Sequence, residues 1–125
     1  MNREIKFRGK DILHKSWQYG SLAKDEPQKS YYIIDNEYGR GIDVDKETVG
    51  QYTGLHDKNG KEIYEGDILK SIQWNDIYLV KYIGTAFYLC RKGNNGFNKI
   101  TTWNNAAKSE IIGNIYDNSE LLGGE

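Results

Sequence analysis

Residues 48–69 read TVGQYTGLHDKNGKEIYEGDIL, and this stretch decides the fold. Asp57-Lys58-Asn59-Gly60 is a four-residue turn. An Asp in the first position bonds downstream amides, and Asn and Gly accept positive φ. The flanks are β-formers: Val49, Tyr52, Thr53 and Leu55 before the turn, Ile63 and Tyr64 after it. The pattern predicts a β-hairpin, with Gly60 where a bulge would fall. A second punctuation follows at Glu65-Gly66-Asp67. There Gly66 supplies a sharp reversal before the strand that begins with Ile68 and Leu69.

Outward from this stretch the chain is a string of short β candidates. Near the start, Ile5 and Phe7 alternate with Glu4, Lys6 and Arg8, the pattern of a half-buried strand with a charged face. Residues 17–22 and 31–35 are further strands, separated by a polar loop around Pro27. Residues 36–41 read as a flexible loop, and residues 45–48 as one helical turn or a simple connection. Residues 77–83 and 85–91 form a hairpin hinged at Gly84, with apolar or aromatic side chains on both faces. Strands covered on both sides belong in a closed barrel, beneath another layer or in an oligomer interface. Residues 92–96 read as a long polar loop and residues 110–116 as the last strand, after which Asn118 caps a final helical turn.

The expected fold is therefore mainly β, with little helix. Antiparallel strands curl into a small barrel or barrel-like sandwich. Residues 1–125 make a single domain, in which 1–46 add N-terminal strands and a loop and 47–125 form the barrel-like core. Gly54, Gly60, Gly66 and Gly113 are expected at turns, bulges or close backbone approaches.

Composition limits the function classes. One cysteine, Cys90, excludes an intramolecular disulfide framework and suits a reducing cytoplasm. The start, MNREIKFRG, is polar and charged, so no secretory signal is expected. No apolar run approaches the ~20 residues of a membrane span. The chain holds 17 basic and 18 acidic residues, and its first 50 residues hold 9 of each. This balance withholds the electrostatic half of nucleic-acid binding.

Candidate chemistry is sparse. His14 and His56 are the only histidines, whereas zinc wants three or four ligands. The neighbours of His56 are Asp57, Glu62, Glu65 and Asp67, and the reading is a turn histidine among solvated carboxylates. No metal and no cofactor is expected. Glu65 and Asp67 are a carboxylate pair of the kind that can serve as acid and base. Gly66 between them argues for a turn, with Asp67 bonding nearby backbone amides where the strand starts. Cys90, within a β segment, reads as a buried inert thiol. No nucleophile elbow, Walker loop or dinucleotide fingerprint is present, and no enzyme is expected. Ten tyrosines and three tryptophans exceed what a core of this size absorbs, which marks Trp17, Tyr19, Trp74 and Trp103 as candidate interface aromatics. Three readings stay open: strand preference alone, a protein interface, or a stacking platform for single-stranded nucleic acid.

Several motifs also stand in a familiar order: REIKFRG at 3–9, WQYGSL at 17–22, QYTGL at 51–55, DKNG at 57–60, IYEGDI at 63–68 and EIIGNIYDN at 110–118, followed by Leu121-Leu122. In these the chain resembles the YopX-like family of phage and prophage proteins, over nearly its whole length. The resemblance implies a mostly β fold and a viral or prophage origin, and it brings no catalytic residues. The expected function is a non-enzymatic accessory protein of the host-cell cytoplasm. It acts through protein contacts, with a phage or host protein or by forming a homo-oligomer. The alternative is a nucleic-acid-binding regulatory barrel. A third reading, an unrecognised hydrolase, would require a concave pocket of converging polar groups.

Overall fold

A computed structural model describes residues 5–71, 76–93, 96–100 and 106–122. Among them are ten strands: β1 (Phe7–Asp11), β2 (Trp17–Asp25), β3 (Ser30–Ile34), β4 (Gly41–His56), β5 (Glu62–Tyr64), β6 (Asp67–Ser71), β7 (Ile77–Ile83), β8 (Ala86–Gly93), β9 (Gly96–Ile100) and β10 (Ser109–Asn114). A 3₁₀ turn spans Ser119–Leu122. The fold is mainly β, in two antiparallel sheets with little helix, as the strand pattern predicts. The chain divides into two compact units, residues 1–52 and 53–125.

In the first unit the strands close on themselves. β1 pairs with β2, β2 with β3 and β3 with β4, and β4 pairs back onto β1. The ladders place Phe7 opposite both Gly20 and Gln51. Ile33, Val44 and Tyr52 are buried in this unit. Residues 45–48, expected as a helical turn or connection, lie within β4. The turn-like signal has a local cause: the β1–β4 register jumps from Arg8↔Gly50 to Lys10↔Asp45, a bulge that leaves residues 46–49 out of step. Thr48 repairs the gap. Its Oγ1 accepts from Lys10 N–H at 2.9 Å and donates to the Asp45 carbonyl at 2.6 Å.

In the second unit, the end of β4 and β5 flank the Asp57 turn, and Thr53 Oγ1 donates to the Ile63 carbonyl at 2.8 Å. The second sheet runs β10-β6-β7-β8-β9. A two-residue turn at Gly84 joins β7 to β8, with Ile83 opposite Ala86. The core here is Ile63, Leu69, Tyr78, Val80, Leu89 and Ala106, with Ile111 packed against it. Asn118 does not cap the 3₁₀ turn with its side chain. Its Oδ1 accepts from Asn114 N–H at 3.1 Å, while its carbonyl accepts from Leu121 N–H at 2.9 Å.

Candidate functional site

Asp57 is a carboxylate of the second unit with three backbone amides on its oxygens. It is only 5% exposed. Its Oδ1 accepts from Asn59 N–H at 2.8 Å and from Lys61 N–H at 3.0 Å, which winds the turn. Its Oδ2 reaches across the sequence to Ile111 N–H at 3.0 Å. Beside it, Lys58 N–H donates to the Ser109 carbonyl at 2.9 Å. The turn is thereby fastened to β10. Burial pushes the Asp57 carboxyl up, but the amides of Ile111, Lys61 and Asn59 and the Lys61 charge outweigh it and hold the group below its ordinary 3.8.

Asp67 is 2% exposed and accepts from Tyr64 N–H at 2.8 Å on Oδ2. Together with Gly66, at φ +94°, it makes the reversal from β5 into β6. The Gly66 amide donates to the Val80 carbonyl and its carbonyl accepts from Ile115 N–H, both at 2.8 Å. A Cβ on Gly66 would stand 3.0 Å from the Tyr116 ring.

Next to this reversal lies a cleft of about 280 Å³. Glu65 and Gly66 form one wall, Lys81, Tyr82 and Ile83 at the end of β7 another, and Ile115 and Tyr116 a third. The rim is aromatic and accessible: Tyr82 is 46% exposed and Tyr116 38%. Tyr82 is braced edge-on by Phe87, with ring centroids 4.9 Å apart. Glu65 and Lys81 are its charged residues, one of each sign. The cleft can hold an apolar group against two phenol rings, with an acid and a cation at its margin. Sequence reasoning did not single it out. Its signal was the apolar character on both faces of residues 77–83. That β6 stops short of the end of β7 could not be read there.

The remaining sequence candidates are scattered. Gly54 and Gly60 have φ of +88° and +81°. Gly113 lies at a register shift between β10 and β6, and a Cβ there would come within 2.5 Å of Asn118 Oδ1. Cys90 is buried on β8. His56 ends β4 and is exposed; exposed His14 lies 3.3 Å from Asp11 Oδ2. Among the described residues no three of His, Cys, Asp and Glu converge on one point. Trp17 and Tyr19 lie on β2 in the first unit, where Arg8 sits 4.6 Å and Lys10 5.8 Å from the Trp17 ring. Trp74 and Trp103 lie outside the described residues. No helix of the described chain is long and apolar enough to cross a membrane.

Fold and site together define an antiparallel two-sheet β module with carboxylate-braced turns and, next to the Gly66 reversal, an aromatic-rimmed cleft. The sequence profile of the YopX protein family matches residues 6–123, and the chain belongs to that family. It is similar to a crystal structure of protein EF1440 from Enterococcus faecalis, with a TM-score of 0.60 and 24% identity, over 97% of this chain and 99% of that one. At that identity the likeness shows the fold. No curated protein matches the chain.

Proposed function

We propose that this protein is a non-enzymatic accessory protein of phage or prophage origin, working in the host-cell cytoplasm through protein contacts, foremost by self-association. The observation that carries this reading is the cleft beside β7. Tyr82 and Tyr116 stand exposed around apolar walls, and large aromatic side chains at a concave, partly wet surface are the usual anchors of protein contacts. The non-enzymatic part is supported by what the carboxylates already do. Both Asp57 oxygens and Oδ2 of Asp67 accept from backbone amides. Light scattering over a micromolar concentration series tests the reading. The expected result is a mass above that of the monomer that rises with concentration; a monomer throughout rejects it.

A second reading has its own observation. Two half-buried cations lie along the first strand and its approach, Lys6 over the Tyr52 ring at 5.5 Å and Lys10 over the Trp17 ring at 5.8 Å, while Arg8 between them is buried 4.6 Å from Trp17. Cations interleaved with aromatics suit a single nucleic-acid strand. Salt-sensitive retention of a labelled oligonucleotide is the expected signature, and no retention at low salt ends this reading.

A further inference from the structure

β7 outruns its neighbour. The β6–β7 ladder starts with Ser71 N–H on the Asp76 carbonyl at 2.9 Å and runs to Ile68↔Leu79. Main-chain groups alternate in direction along a strand. Asp76, Tyr78, Val80 and Tyr82 therefore turn their N–H and C=O toward β6, while Ile77, Leu79, Lys81 and Ile83 turn theirs toward β8. The Val80 carbonyl meets Gly66 N–H at 2.8 Å. The chain is reversing at that point, and no described residue pairs with β7 opposite Tyr82. The Tyr82 N–H and C=O thus open onto the cleft.

Such a donor and acceptor, side by side on a strand edge, ask for another extended main chain. We infer that two copies of this chain join through β7, antiparallel about a twofold axis at Tyr82, each copy's Gly84 turn entering the other's cleft. The inference rests on the self-association reading and names its seam. Three features select a second copy as the occupant. The exposed row is self-complementary: Tyr82 faces Tyr82 with two hydrogen bonds, and Lys81 faces Ile83. One step further the partner strand would meet Gly66, so the overlap ends where β7 itself ends, at a turn whose glycine carries no side chain. The rim holds one charge of each sign, Glu65 and Lys81, so a second copy laid against it adds no excess of either. The contact uses the same patch on both partners and closes at two.

Substituting residue 82 in the full-length chain tests the seam. In a hydrogen-bonded antiparallel pair the Cα atoms lie about 5.5 Å apart, inside the roughly 4.4–6.8 Å that a disulfide spans. Tyr82→Cys in a Cys90→Ser background, oxidised with copper phenanthroline, is expected to give a covalent dimer at least tenfold faster than Tyr38→Cys, an exposed loop control. Tyr82→Pro removes the outward N–H, a change that edge strands tolerate. It is expected to shift the wild-type dimer to monomer with the strand circular dichroism kept. If Tyr82→Pro fails to fold, the cross-linking comparison decides alone. A wild-type dimer whose residue 82 cross-links no faster than residue 38 overturns the seam and leaves self-association standing. A wild-type monomer overturns both, and growth without a limiting mass overturns the twofold.

Discussion

Asp57 carries three amide donors on one carboxylate, which shows why an Asp is needed at its turn. One oxygen winds the turn through Asn59 and Lys61; the other holds Ile111 on β10. Asp57→Asn keeps the first acceptor but turns an NH₂ group against the Ile111 N–H. We expect a loss of about 1–3 kcal/mol, read from the urea midpoint at unchanged slope. The same residue sets a pH dependence. Its folded-state pKa lies below the ordinary 3.8, so its contribution is complete above that value and is lost as pH falls through the folded value. Asp11, held low chiefly by the His14 amide, acts in the same direction. The wild-type midpoint should therefore fall below about pH 4, and Asp57→Asn should fall less over the same range. Gly66→Ala forces a side chain into positive φ beside Tyr116; a cost of about 1–3 kcal/mol is expected in the same assay.

Among the elements, β6 and β7 carry the second unit's core. Leu69 and Val80 are buried together with Ile63 and Leu89, so Leu69→Ala should cost about 2–5 kcal/mol in urea unfolding. Most of this layer was legible in the sequence. The Asp57 turn, the Gly66 reversal and the Gly84 hairpin are written in residues that fix backbone angles locally. What escaped was set by pairing. Asp45-Lys46-Glu47-Thr48 looked like a helical turn because Asp45 Oδ1 does accept from Glu47 N–H at 3.0 Å, yet β1 recruits the segment into a bulged strand. Asn118 looked like a forward cap, but the Asn114 amide takes its side chain first. The rim of Tyr82 and Tyr116 depends on where β6 ends relative to β7, a non-local fact with no local spelling.

For the whole molecule, the mainly β fold and the family were readable because the motifs run through residues 6–123 in order. The pairing of β4 back onto β1 was not readable, since neither strand's sequence names its partner. The exposed end of β7 is the proposed seam of self-association. Sedimentation equilibrium of the wild-type chain over a range of micromolar concentrations tests this most directly. The expected mass climbs to twice the 14.4 kDa of one chain and stops there. A mass of 14.4 kDa at every concentration would contradict it.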